Sequence, residues 1–177
     1  MSQPVFTYDI GSPEAYLAAE RVVETLGMVP EFEPVLASGL PGGEIGVFRC
    51  AEEREIQVAE IERRASEQGL QPLRWPNWPF DSELAMLAAT YAKGIGKVAA
   101  FSLAAFRQAY AGGTDLEKPE GVIVAAAACE IHPRAVLRAL ESRAVSEALE
   151  ETTAAAAAAG VTSVPAVRID GRVEAFA

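Results

Sequence analysis

Two cysteines and one histidine are all the soft metal-ligating chemistry this sequence carries. Cys50 and Cys129 lie far apart and in no metal-like spacing, which argues against a Cys/His zinc centre, and no metal is expected. Basic residues are scarce as well, 15 Lys and Arg against 25 Asp and Glu, for a net charge of -10. Nucleic acids and anionic membrane surfaces need clustered Lys and Arg, so neither is an expected partner. No run of 18 apolar residues is present to span a bilayer. Met1 to Pro4 show no basic n-region or apolar h-region, so no signal peptide is visible, and a reducing, cytoplasmic setting is expected. Aromatic residues make up only 7%.

Half of the 177 residues are hydrophobic, and alanine is heavily used. The length suits one domain with a real core, or one domain carrying an insertion. A core of small side chains, mostly helical, is expected.

The chain is organised around Tyr8 to Tyr16. Val5 to Ile10 is rich in β-branched and aromatic residues and reads as a strand. Gly11 breaks it, Ser12 stands at an N-cap, and Pro13 takes the first helical position, where a missing N–H costs nothing. A strand running into a helix N-terminus aims unpaired N–H groups and a positive dipole end at one spot, which stabilises an anion.

Pro13 to Leu26 reads as an amphipathic helix ended by Gly27, and Phe32 to Leu36 as a second strand, parallel to the first through a right-handed crossover. Leu40 to Gly43 is a loop, and Ala51 to Gln68 a helix with a solvated face. Pro72 to Asp81 holds three prolines and three aromatics in ten residues, which excludes a regular helix; Asp81 caps the next one. Helices follow at Ser82–Lys93 and Val98–Ala111. Gly121 to Cys129 is a buried strand or a buried helix, and its alanines favour the helix. Pro133–Leu140 and Ser146–Ala159 are helical, Ala166–Ile169 is a strand, and Asp170-Gly171 turns the chain into a returning edge strand at Arg172–Phe176. The fold class is α/β, with a sheet split in sequence by an all-helical block: residues 1–38 and 143–177 form one unit and 39–142 the insertion.

Two separate segments resemble one family. Ser12-Pro13-Glu14-Ala15-Tyr16 resembles the Cys-Pro-x-Cys-Tyr of DsbA-like thioredoxin-fold proteins. Gly160-Val161-Thr162-Ser163-Val164-Pro165-Ala166 resembles their Gly-Val-x-Gly-Val-Pro-Thr loop, which carries a cis-proline facing the active-site helix. The helical block lies where this family inserts its helical domain, so a thioredoxin-like fold is implied. With Ser12 in place of the first cysteine, and Leu17-Ala18 following Tyr16, the chain is similar to the branch of 2-hydroxychromene-2-carboxylate isomerases and kappa-class glutathione transferases. Trp75-Pro76-Asn77-Trp78-Pro79 is similar to a Pro- and Asn-bearing loop that lines their substrate pocket. Two departures stand out. Thr162-Ser163 and Ala166 differ from the family's loop, and the family continues for about one more helix past the last hairpin. The sequence ends at Ala177, so the expectation is an uncovered sheet face that either invites a homodimer or exposes an apolar patch.

The resemblance implies a thiol-dependent isomerase or transferase. Ser12 would be its catalytic residue, donating to the sulfur of glutathione or another low-molecular-weight thiol. Val164 and Pro165 would bind the backbone of that cofactor, and Trp75, Asn77 and Trp78 a small hydrophobic electrophile. A different reading is a non-catalytic thioredoxin-fold binding module, or an orphan DsbA-like protein whose site has decayed and which has no disulfide oxidoreductase activity. Plain N-capping, worth about 1 kcal/mol, is the local alternative for Ser12. A trans turn is the alternative for Pro165, since only about 5–6% of X–Pro bonds are cis. A packed loop is the alternative for the two tryptophans and Asn77. His132, before Pro133 at a helix start, reads as structural. Ser12 and Ala15 leave no dithiol, so disulfide exchange at this turn is excluded. Glu14 puts a carboxylate in the first helical turn, where it opposes a neighbouring thiolate.

Overall fold

The computed structural model describes residues 3–176; Met1, Ser2 and Ala177, which the leader reading and the outer domain boundaries take in, lie outside it. Strands β1 (Val5–Tyr8), β2 (Glu31–Pro34), β3 (Ala166–Ile169) and β4 (Arg172–Ala175) form one sheet in the order β2-β1-β3-β4. β1 runs parallel to β2 and antiparallel to β3, and β4 returns antiparallel on β3. Helix α1 (Pro13–Leu26) connects β1 to β2. Helices α2 (Ala51–Glu67), α3 (Glu83–Gly94), α4 (Val98–Tyr110), α5 (Pro119–Ala127), α6 (Pro133–Leu140) and α7 (Arg143–Ala158) fill the sequence between β2 and β3. This is the thioredoxin-like α/β arrangement with an inserted helical block.

Both early strands stop short of the sequence reading. β1 ends at Tyr8 because the Asp9 carboxylate takes the Gly11 N–H at 2.8 Å and bends the backbone out of the ladder. β2 ends at Pro34, after which a 3-10 turn forms at Ala37–Gly39. Gly121 to Cys129 resolves as helix, beginning at Pro119. α7 starts at Arg143, three positions before the expected start, and its alanine run stays helical to Ala158. Asp81 accepts the Glu83 N–H at 2.9 Å, as a capping residue does.

The few aromatics concentrate where sheet meets helices. Phe6 stacks on Tyr8 at 5.6 Å between centroids and meets Phe32 edge-on at 5.3 Å. Tyr8 reaches Phe106 of α4, and its hydroxyl pairs with that of Ser102. Ala85, Ala88, Ala89 and Ala92 of α3 are buried, as are Ala105 and Ala109 of α4, so small side chains let these helices approach closely. Sheet and helical block thereby share one apolar core. On the other sheet face, Val35, Leu40, Ala156, Val161 and Ala166 form a smaller cluster under α7. Thr153 of α7 accepts the Leu36 N–H at 3.0 Å and ties that helix to the end of β2. The same face carries a largely buried ion pair: Arg168 Nη2 donates to both Glu33 oxygens, at 2.9 and 2.8 Å. No helix among the described residues is long and apolar enough to cross a membrane.

Candidate functional site

The turn from β1 into α1 is held from every side. Ile10 N–H points at Met86 Sδ at 3.2 Å, and the Ile10 carbonyl accepts the Tyr110 hydroxyl at 3.0 Å. The Gly11 carbonyl accepts the Trp78 indole N–H at 3.0 Å. Ser12 N–H donates to the Asp9 carbonyl at 3.0 Å. Below the turn, the Asp9 carboxylate bridges the Gly11 N–H and the Ala37 N–H, both at 2.8 Å, and also bonds Ser82. Burial pushes the Asp9 carboxyl up from its ordinary value, against the pull of those three donors. Desolvation likewise raises Tyr110 well above an ordinary phenol, so its hydroxyl stays a donor. Gly11 admits no larger residue without movement: an added Cβ would lie 3.3 Å from Asp9 Oδ1 and from Ser82 Oγ.

Ser12 caps α1 as the local alternative describes, its Oγ accepting the Ala15 N–H at 3.1 Å, with Pro13 at the first helical position. Its own hydroxyl proton is engaged too, donated to Glu14 Oε2 at 3.2 Å. The other oxygen of Glu14 accepts Gln57 Nε2 of α2 at 2.7 Å. Ser12 is 2% exposed, so its hydroxyl lies at the floor of the site.

That floor opens into a cleft of about 550 Å³, lined among others by Ser12, Glu14, Ile45, Val47, Gln57 and Val164. The Val164–Pro165 peptide bond is cis. Val164 borders the cleft, and among the described residues no loop or turn hydrogen bond uses its N–H or carbonyl. Pro165 is buried behind it, its carbonyl accepting the Phe176 N–H at 3.1 Å. Residues 44–47 also line the cleft. They are fixed by Gly42, whose N–H donates to the Thr162 carbonyl at 2.7 Å, and by Gly43, packed onto the Ala37 carbonyl.

The structure thus brings Ser12 and Val164 to one cleft and leaves Trp75, Asn77 and Trp78 off its lining. Trp78 is 2% exposed and supports the turn from beneath through its indole N–H. Trp75 packs on Trp78 and donates to Glu62 at 2.9 Å, and Asn77 is exposed. His132 caps α6, with Nδ1 accepting the Arg134 N–H at 3.2 Å. Neither cysteine lines the cleft: Cys50 is exposed at the start of α2, and burial raises the Cys129 thiol. Among the described residues no group of His, Cys, Asp and Glu could hold a metal. Asp9, Met86, Tyr110 and Gln57 were not legible as site residues. Only Asp9 had a local signal, the Asp-x-Gly spacing of a side-chain-bonded turn.

Solved structures share this architecture. A 2-hydroxychromene-2-carboxylate isomerase superposes with a TM-score of 0.83 at 19% identity, covering 98% of this chain and 88% of that one. A probable DsbA oxidoreductase from Streptomyces coelicolor gives 0.79 at 17% identity, with 98% and 82% covered. The cytosolic disulfide reductase DsbM from Pseudomonas aeruginosa, solved with GSH, gives 0.68 at 17% identity, with 98% and 88% covered. No curated protein matches the chain in sequence. Likeness at these identities shows a shared fold. A family model, the DSBA-like thioredoxin domain, matches residues 5–177, and the chain belongs to that family.

Proposed function

We propose that this protein is a thiol-dependent isomerase or transferase acting on a small hydrophobic electrophile in the reducing cytoplasm. One observation carries the reading: the Ser12 hydroxyl at the N-terminus of α1 and Val164, whose backbone takes part in no loop or turn hydrogen bond among the described residues, line the same cleft. These groups fit the thiol end of a cofactor such as glutathione. Ser12 offers a hydroxyl donor to sulfur, and the α1 N-terminus favours a thiolate over a thiol. Val164 offers an N–H and a carbonyl to a peptide-like backbone, in the manner of strand addition. A bound thiol supplies the sulfur nucleophile that such chemistry requires. Ile45 and Val47 give the cleft an apolar wall, and Val47 is 69% exposed at its mouth, suited to a hydrophobic electrophile. Trp78 acts from below, by fixing the Gly11 carbonyl and with it the direction of Ser12. The test is thermal unfolding of the native protein and of Ser12→Ala with glutathione and other low-molecular-weight thiols. The expected result is stabilisation by a thiol that Ser12→Ala weakens; no stabilisation by any thiol would sink the proposal.

A second reading, a binding module without catalysis, is favoured by the Ser12 proton already being given to Glu14. To serve a sulfur, Ser12 has to exchange that partner. Thiol-dependent turnover of a conjugated electrophile supports the enzyme; thiol binding without turnover supports the module.

A further inference from the structure

The walls of the Ser12 cleft are acidic. Glu14, Glu44 and Glu53 line it, against a single cation, Arg49. Arg49 is committed: its backbone N–H and its Nε both donate to Glu53, at 2.8 and 2.7 Å. The lining as a whole thus carries three carboxylates against one guanidinium, and that guanidinium is already paired with one of the three. Glutathione brings two carboxylates and one ammonium group. The cleft therefore fits its sulfur and its backbone but not its charge.

Glu14 is the acid nearest the proposed sulfur position. It lies within hydrogen-bonding reach of Ser12 Oγ at 3.2 Å, and Gln57 holds it there through its other oxygen at 2.7 Å. Its place in the first turn of α1 also offsets part of the helix-dipole attraction that an anionic ligand would use. From this geometry we infer that Glu14 is a specificity-determining residue. It turns the cleft away from anionic thiols and toward thiols that bear an amine and no free carboxylate. The inference rests on the thiol-binding reading above. A fixed like charge beside a partly buried anion weakens its binding by about tenfold, while an amine at the same place gains from it.

Glutathione and glutathione diethyl ester separate the two cases, because they share a sulfur and a backbone and differ in charge. Isothermal titration at low ionic strength with native protein, Glu14→Gln and Ser12→Ala reads the effect directly. Native protein is expected to bind the ester about tenfold more tightly than glutathione, and Glu14→Gln to remove most of that ratio by tightening glutathione. Glutamine is isosteric and keeps one carbonyl, for Gln57, while its NH2 faces Ser12 Oγ, whose lone pairs can accept it; an unchanged urea midpoint for Glu14→Gln verifies that its fold is intact. Equal binding of the two ligands by native protein overturns the inference, as does a ratio that Glu14→Gln leaves unchanged. Failure of both ligands to bind any of the proteins rejects the thiol-binding reading and the inference with it. Binding of the ester with no effect of Glu14→Gln rejects the inference alone.

Discussion

The indole N–H of Trp78 donates to the carbonyl of Gly11 at 3.0 Å, across 67 positions of sequence. It anchors the residue before Ser12 to a loop of the helical block. Trp78→Phe keeps one aromatic ring, opens a cavity where the rest of the indole was, and leaves that buried carbonyl unpaired. We expect a loss of about 1–3 kcal/mol in urea unfolding, together with weaker thiol binding at Ser12.

Tyr110 does the same for the neighbouring carbonyl, that of Ile10, at 3.0 Å. Tyr110→Phe removes a single hydroxyl from a fully buried ring, and the expected cost is about 1–3 kcal/mol. The two bonds hold adjacent residues of one turn, so the double variant is expected to depart from additivity by about 0.5 kcal/mol or more in a double-mutant cycle.

Asp9 gives a pH signature. Burial raises its folded pKa above the ordinary value of 3.8. The native state therefore holds the proton more tightly than the unfolded chain does. The stability linked to this proton is fully present below the unfolded pKa and is lost as pH rises through the folded one. Asp9→Asn lacks the titration. The stability of native protein minus that of Asp9→Asn is expected to fall as pH rises from 3.8 through the raised value, then to level. A flat difference across that range would show that Asp9 ionises as an ordinary carboxyl.

Gly43 carries the cleft wall. A Cβ there would sit 1.8 Å from the Ala37 carbonyl oxygen and 2.9 Å from Leu40 Cβ. Gly43→Ala has to displace the chain that leads into residues 44–47. The expected loss is about 1–3 kcal/mol in urea unfolding, with thiol affinity falling alongside. Gly94→Ala, at the last residue of α3 with nothing within 4 Å of the added Cβ, is the control: thiol affinity is expected to stay unchanged and stability to hold or rise by up to about 1 kcal/mol.

The Arg168–Glu33 pair tests a buried charge away from the site. Thr7 Oγ1 also donates to Glu33 at 3.1 Å, and Arg168 Nε is buried without a hydrogen-bond partner among the described residues. Removing one ion strands the other. Arg168→Met is expected to cost about 3 kcal/mol, the low end for a buried pair because the arginine side chain is 22% exposed. Arg168→Met combined with Glu33→Leu is expected to recover most of it. A double variant as unstable as the single would show that packing, not charge, dominates there.

What could be read from sequence followed local punctuation. α1 falls at Pro13–Leu26 as expected, because Ser12 and Pro13 open it and Gly27, at φ 67°, closes it. Pro133 fixes the start of α6, and Asp170-Gly171 separates β3 from β4. That Ser12 and Val164 would border one cleft was legible through motifs at both ends of the chain. The supports of the turn were not, because Met86, Trp78 and Tyr110 reach it from 67 to 100 positions away and no periodicity announces such contacts. Trp78 was conspicuous in sequence, but a tryptophan facing a ligand and one bracing a backbone look alike there. Likewise the acid in the first turn was visible, whereas its bond to Gln57 on another helix was not.

The bracing of Ile10 and Gly11 by side chains of the helical block has a consequence for how the chain responds to ligand. The turn keeps its shape only while Met86, Trp78 and Tyr110 are in place, so opening of the helical block dissolves the site as well. A ligand bound at Ser12 as proposed would therefore resist opening of both parts by mass action. Amide exchange at Ile10 and Gly11 will follow the slowest, global opening of the chain instead of the faster fraying of a helix end. Saturating ligand will move one melting transition upward as a unit, without splitting it in two.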